Sequence, residues 1–337
     1  MFGELPVSAE AIQAHIQRFF PLKQEKESWI QAFLLKIALA FIWRLSVNAA
    51  WNLGTFIGNC LYLINIRRDV AAVNLDIVYG DTKSAFEKNA IYRASLINFG
   101  HVIINYLRLP FKGKSFWENH FEIVNEKVLK EAINRKKGIL ALGGHIAMYD
   151  LGGGGAGMSG YPVSVVARRI DNPVVNRFVA EARASMNMGQ IANKNTMDQI
   201  VSVLKRGEVI VLAIDQNMNK ERGVFVDWMG KQASSIKSTA YIVRKTGAAV
   251  IPAITIQTGP ETLQLVMGEE LEWLSCPDDP EKELLMNTQN YAWAVQKNIM
   301  KYPELWLWIH KRWKIRPEGE TSPYAKKPSS SGNPANR

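Results

Sequence analysis

The sequence predicts an α/β fold: a mostly parallel central sheet flanked by helices, preceded by an N-terminal helical membrane-associating segment. Three observations carry that reading. From about residue 121, short apolar runs alternate with amphipathic stretches of about ten residues. Strands separated by helices of that length pair in parallel and are covered on both faces. His145, Arg168/Arg169 and Asp215 each fall just after a predicted strand, at the edge where open α/β sheets hold ligands. Finally, the chain is predominantly apolar from Trp29 to Ile66. The expected organisation is therefore a polar segment (1–28), an apolar membrane-associating helical segment (29–66), an α/β domain (67–319) and a disordered tail (320–337).

The polar start lacks a cationic lead into a short apolar core, so no ordinary signal peptide is expected. Leu45–Ile66 carries no charge and is bracketed by Arg44 and Arg67-Arg68. Its length suits a bilayer core of about 30 Å, but Asn48, Asn52, Asn59 and Asn65 interrupt it. Three readings stay open: one membrane span, an amphipathic hairpin in the interface with Trp43, Trp51 and Tyr62 at headgroup depth, or buried helix. In the first two, Arg67-Arg68 faces the cytoplasm. Residues 69–109 read as helical, with Gly80-Asp81 as the turn between two helices.

Glu126–Lys136 is then an amphipathic helix and Ile139–Leu142 a buried strand, followed by a helix containing Asp150. Pro162–Ala167 is a strand, and Asn172–Met186 a helix with Pro173 near its start. Thr196–Lys205 is a helix with a Thr196-x-x-Gln199 capping box and Gly207 as its stop. Glu208–Ile214 is a strand, Ser234–Lys245 a helix, and Ala249–Ile256 and Thr262–Val266 are strands.

The net charge of +10 favours anionic partners: acidic carrier proteins, phospholipid headgroups or nucleic acid. The cations are dispersed in short clusters such as Arg135-Lys136-Lys137 and Lys311-Arg312. No recognised module or basic stripe accompanies them, so no nucleic-acid partner is expected. Cys60 and Cys276 lie far apart, form no metal spacing and imply no disulfide framework, which suits a reducing compartment.

The chemistry concentrates in the segment from Gly143 to Gly153. His145 is a general-base candidate and Asp150 an acid five positions on. A histidine base needs a partner that fixes its tautomer and stabilises its cation. The two can meet if His145 sits on a strand-to-helix turn and Asp150 in the first helical turn, and the glycines at 143 and 144 suit such a turn. The competing reading is a hydrogen-bonded structural histidine. Gly152-x-Gly154-x-x-Gly157 matches the dinucleotide fingerprint as a string, but no confident strand directly precedes it. Close backbone packing, or room for a slender ligand, is the alternative. Gly113-Lys114-Ser115 lacks the upstream glycine of a phosphate loop, and Gly157-Met158-Ser159-Gly160 misses the nucleophile elbow by one residue. A serine hydrolase is disfavoured.

Taken together, these segments resemble the lipid A biosynthesis late acyltransferases (lauroyl and myristoyl transferases), which are related to phosphatidylinositol mannoside acyltransferases and the glycerolipid acyltransferase superfamily. The resemblance runs from about residue 29 to 319. It rests on an ordered series: Arg67-Arg68-Asp69-Val70-Ala71 with Asn74-Leu75, the His-four-residues-acid signature His145–Asp150, and Arg168-Arg169-Ile170-Asp171-Asn172-Pro173. Asp215-Gln216, Gly223-Val224-Phe225-Val226 and the Trp-rich stretch from Pro303 to Lys314 complete it. Asp150 stands where many lipid A members carry Glu, and glycines 152–155 replace bulkier residues.

The resemblance implies a membrane-associated O-acyltransferase on the cytoplasmic side of the inner membrane. It would move a fatty acyl chain from an acyl carrier protein thioester to a hydroxyl of a lipid A precursor or related glycolipid. An acyl-CoA donor, and a lysophospholipid, phosphatidylinositol mannoside or other lipid acceptor, form the alternative. A nucleotide-cofactor enzyme and an inactive lipid-binding protein are the remaining classes. In the first reading His145 is the base and Asp150 orients it. Arg168, Arg169 or backbone amides near Gly152–Gly154 face the oxyanion, with headgroup binding as the other role for the arginines. Asp215 and Gln216 are possible supporting residues, Trp306, Trp308 and Trp313 are packing residues, and neither a cofactor nor a metal is required.

Overall fold

The computed structural model of the protein describes residues 28–191 and 195–325. The polar start through residue 27 and the tail from 326 lie outside the described residues. The strands are β1 (Phe121–Val124), β2 (Ile139–Gly143), β3 (Val163–Val166), β4 (Met188–Ile191), β5 (Val209–Ala213), β6 (Gly223–Trp228), β7 (Lys231–Ile236), β8 (Ala249–Gly259) and β9 (Thr262–Met267). Seven of them form one sheet in the order β1-β9-β8-β2-β5-β3-β4. Only β8 and β9 pair antiparallel within it. The expected mostly parallel sheet is therefore present. β6 and β7 form a separate antiparallel hairpin.

The helices are α1 (Ser28–Arg44), α2 (Val47–Leu63), α3 (Arg68–Tyr79), α4 (Ala85–Arg108), α5 (Lys114–His120), α6 (Glu126–Asn134), α7 (Tyr149–Met158), α8 (Pro173–Ser185), α9 (Thr196–Lys205), α10 (Ser238–Thr246) and α11 (Pro280–Lys301). Side chains alternate across a strand, so the sheet divides the core in two. Leu140, Leu142 and Ile210 pack with Leu204 of α9, Val243 of α10 and Val295 of α11. Ile139, Ala141 and Val209 pack on the opposite face with Leu129 of α6 and Leu151 and Ala156 of α7.

Several boundaries differ from expectation. Ser234–Ile236 belong to β7, and the following helix begins only at Ser238. The hairpin turn Met229-Gly230 has positive φ at both residues, which matches the twist of its strands. α9 starts at Thr196 with Asn195 in the N-cap position, one residue before the predicted cap. Of residues 320–325, expected at the head of a disordered tail, Tyr324 is half-buried against the domain. The Tyr324 hydroxyl donates to Asn74 Oδ1 at 2.5 Å and accepts from the Trp313 amide.

The uncharged stretch Leu45–Ile66 is not one continuous helix. The chain breaks after α1, and Ser46 caps α2 by accepting from the Ala49 amide. Among the described residues no helix is long and apolar enough to cross a membrane. α2 packs closely against α4 through glycines. A Cβ on Gly58 would sit 2.3 Å from Ile97 Cα, and one on Gly100 2.1 Å from the Gly54 carbonyl oxygen. Buried Arg108, at the end of α4, donates to Glu261 and to the carbonyls of Ile42 and Leu45, tying this helical pair to the β8–β9 turn. The outer side of α1 and α2 exposes Phe33, Leu34, Ile37, Phe41, Phe56 and Leu63.

Candidate active site

His145 sits on the turn between β2 and α7, at the carboxyl edge of the sheet. Strand β5 runs alongside β2, and the Ile214 amide donates to the Gly143 carbonyl. That register brings Asp215 beneath the turn. A Cβ at Gly144 would lie 2.9 Å from Asp215 Cγ, so only glycine lets the acid approach. From the other side the C-terminal Trp-rich strap holds the turn. Ile146 forms a bridge with Trp306, and the Ala147 amide donates to the Leu305 carbonyl at 2.8 Å. Ala147 adopts a left-handed φ of 48°, a conformation disfavoured for a side chain with Cβ and maintained here by those contacts. Asn74 of α3 secures the strap, donating to the carbonyls of Trp308 and His310 at 2.6 and 2.7 Å.

The carboxylate on the imidazole is Asp215. Its Oδ1 lies 2.8 Å from His145 Nδ1, and its Oδ2 accepts from the Trp306 indole at 2.8 Å. Asp215 is buried while His145 is partly open to a cleft. Burial pulls the imidazole pKa down, but the Asp215 hydrogen bond and the charges of Asp215 and Asp150 outweigh it, leaving His145 above its ordinary value. For Asp215, burial pushes the pKa up; the hydrogen bond and charge of His145, with the Trp306 bond, reverse this and hold it below the usual carboxylate range.

Asp150 does not orient the imidazole, contrary to the expectation from spacing. It occupies the first turn of α7, where it accepts from Arg183 Nε at 3.0 and 3.2 Å and from the Tyr106 hydroxyl at 2.8 Å. Arg183 also donates through Nη1 to Gln190. The cleft, about 310 Å³, is lined by Phe99, Val102 and Tyr106 of α4, His145, Val179 and Arg183 of α8, and Leu305 of the strap, among others. Its wall is thus mainly apolar with a few convergent polar groups, the usual composition of a ligand site. Tyr149 presents an edge to His145, with ring centroids 5.2 Å apart, and its hydroxyl is pushed up to about 12 by burial.

Arg168 and Arg169 are exposed beyond β3, and neither lines this cleft, although their neighbour Ile170 does. Gln216 is exposed, and its carbonyl accepts from Arg312. The backbone amides suggested for the oxyanion are not available, because Gly152–Gly154 lie inside α7; the Gly152 amide already donates to the Met148 carbonyl. The same placement removes the dinucleotide reading, since that fingerprint needs its glycines on a strand-to-helix turn. These glycines serve close packing: a Cβ at Gly152 would lie 1.8 Å from Thr255 Oγ1 and one at Gly155 2.4 Å from the Phe121 ring.

Sequence reasoning missed Tyr106, Arg183 and the role of Trp306. Arg183 follows Val179 by four residues on one face of α8, beside the buried run Val174, Phe178 and Ala182. A cation on an apolar helix face was the available signal. Trp306 is buried as expected of a packing residue, but its indole also fixes Asp215. Among the described residues, no group of three His, Cys, Asp or Glu side chains could hold a metal ion.

The family described as bacterial lipid A biosynthesis acyltransferase matches residues 18–315. The chain is 26% identical over 275 residues to a lipid A biosynthesis palmitoleoyltransferase of Escherichia coli (strain K12), covering 81% of this chain and 87% of that protein. It is 28% identical over 207 residues to a lipid A biosynthesis lauroyltransferase of the same organism, covering 60% and 65%. A lipid A biosynthesis acyltransferase of Haemophilus influenzae is 21% identical over 313 residues, covering 91% and 94%. The match takes in the sheet, the histidine turn and the Trp-rich strap alike, and this chain belongs to the bacterial lipid A biosynthesis acyltransferase family and is an acyltransferase.

Proposed function

We propose that the protein transfers a fatty acyl chain from a thioester donor to a hydroxyl of a lipid A precursor or related glycolipid, with His145 as general base. The observation that carries this is the His145–Asp215 pair at the mouth of an apolar cleft. With Nδ1–H donated to Asp215, Nε2 is the ring nitrogen left to take a proton. It removes the proton of the acceptor hydroxyl as that oxygen attacks the thioester carbonyl carbon. Collapse of the tetrahedral intermediate breaks the carbon–sulfur bond, and the imidazolium returns its proton to the departing thiolate. The new bond is an oxygen ester, and the proton count balances.

Arg183 supplies positive charge beside the reacting centre. Nε is held by Asp150 and Nη1 by Gln190, while Nη2 has no partner among the described residues. That nitrogen is the candidate oxyanion donor. The exposed Arg168 and Arg169 bind phosphate on the acceptor headgroup or donor. An acyl carrier protein, being acidic, suits the dispersed basic clusters; acyl-CoA is the competing donor. The exposed apolar side of α1 and α2 seats the enzyme on the cytoplasmic surface of the inner membrane.

Incubating purified protein with labelled acyl carrier thioester or acyl-CoA, and with total membrane lipid or a lipid A precursor, tests the reading. Transfer to a glycolipid hydroxyl, abolished in His145→Ala, is expected. No transfer to any lipid across donors and chain lengths overturns it.

A further inference from the structure

A second cavity, of about 690 Å³, opens beyond the end of β5 on the face of the sheet covered by α9, α10 and α11. α7 packs on the opposite face. The floor is hydrocarbon: Met197 and Ile200 of α9, Leu212 and Ile214 at the end of β5, Ile236 of β7 and Ile242 of α10. Ile214 directly precedes Asp215, so this space adjoins the His145 machinery without sharing its lining residues.

One end of the cavity has the opposite character. Lys237, Ser238 and Thr239 line it where α10 begins. No side chain caps that helix, so its first amides present donors and a partial positive charge. Thr239 is 2% exposed, and its hydroxyl has no hydrogen-bond partner among the described residues. That hydroxyl lines the cavity, where it is free to bond an oxygen of a ligand. Lys237 and Arg222 line the same space and form no ion pair among the described residues. The acids on the rim are Glu221 and Glu281; the third cation, Arg244, donates to the Pro280 carbonyl.

We propose that this cavity binds a phosphate-bearing hydrocarbon chain, with the phosphate on the α10 N-terminus, Thr239 and Lys237, and the chain along the apolar floor. Backbone amides, a hydroxyl and an ammonium group converging on one spot match an anion with several oxygens. The floor excludes the other sources of phosphate. Its side chains offer no partner for the amides of a pantetheine arm, and free phosphate would leave the apolar surface uncovered. A lipid phosphate satisfies both ends. This inference does not rest on the acyl-transfer reading, because none of its residues takes part in the proposed proton transfer.

The test is calorimetric titration of the full chain with dodecyl phosphate below its micelle concentration. Dodecyl maltoside, inorganic phosphate and pantetheine 4′-phosphate are run in parallel, and acetylation of Lys237 is read by mass spectrometry. Dodecyl phosphate is expected to bind at least about tenfold more tightly than the other three and to protect Lys237. Thr239→Val and Lys237→Met should each weaken it about tenfold, with unchanged melting behaviour, while His145→Ala leaves it unaffected. Equal binding of dodecyl maltoside would reduce the site to an apolar groove. Tighter binding of pantetheine 4′-phosphate, an unprotected Lys237, or wild-type affinity in Thr239→Val overturns the proposal.

Discussion

His145 serves as a base only while Nε2 is unprotonated, so the balance of forces on its pKa sets the working pH. Burial lowers that pKa, and the bond and charge of Asp215, with the charge of Asp150, raise it further than burial lowers it. The expected kcat/KM therefore rises with pH through a midpoint above the ordinary histidine value of about 6.5. Asp215→Asn removes the charge and offers an amide that can donate to Nδ1, favouring the unproductive tautomer. Its midpoint should fall and its rate drop at least about a hundredfold; a pH–rate profile with an unmoved midpoint would show that Asp215 does not tune the base. Asp150→Asn acts differently, because it leaves Arg183 charged and buried. Removing one partner of such a pair costs about 3–5 kcal/mol, so denaturant unfolding should report a large loss while the imidazole stays seated on Asp215. The sequence pointed to Asp150 because five residues is a local spacing. Asp215 is 70 residues away, and nothing in the linear order says that β5 is the neighbour of β2. Only its position after a predicted strand hinted that it belonged to the same edge.

At the scale of elements, α7 positions Tyr149 and Asp150 by lying with its glycines almost in contact with the sheet. Alanine favours a helix over glycine by about 1 kcal/mol, yet Gly152→Ala would place Cβ 1.8 Å from Thr255 Oγ1. The clash outweighs the propensity, since overpacking costs about 1–3 kcal/mol and displaces backbone. Gly152→Ala should thus lower both the melting temperature and kcat, and adding Thr255→Ala should restore much of each. If the double variant is no better than the single one, the Thr255 contact is not the reason for glycine at 152. Long periodic segments were legible for the same physical reason that they fold: α9, α8 and α6 bury one face, and β2 and β5 are apolar throughout. β1 and β4, four residues each, are too short to show a period. Ser234–Ile236 read as helix because the amphipathic stretch of α10 follows at once, while their pairing with β6 depends on the Met229-Gly230 turn. The glycine string of α7 matches a cofactor loop only as a string, and its packing against Thr255, Met186 and Phe121 gives the reason for the glycines.

Across the whole molecule, α4 joins the two surfaces that the proposed reaction needs. Gly100 and His101 face α2, with His101 stacked on Trp51, while Phe99, Val102 and Tyr106 line the cleft. α4 therefore ties the exposed apolar faces of α1 and α2 to the cleft, the arrangement that the proposed seating on a bilayer surface needs. α2 has 17 residues, about 25 Å at 1.5 Å per residue, short of a bilayer core of about 30 Å, and the described part of α1 has the same length. Phe33, Ile37 and Phe41 recur every four residues on the exposed side of α1, the spacing of a single helical stripe. Burying such side chains in lipid contributes about 1.5–3 kcal/mol each. Phe33→Asp, Ile37→Asp and Phe41→Asp combined should release the protein from anionic vesicles in co-sedimentation. Circular dichroism should be unchanged, and turnover of a detergent-dispersed acceptor should stay within about twofold, because none of the three touches the cleft. A triple variant that still sediments with vesicles would place the membrane contact elsewhere on the molecule. One that releases but also loses turnover in detergent would show that the helical pair shapes the cleft as well as seating it at the bilayer.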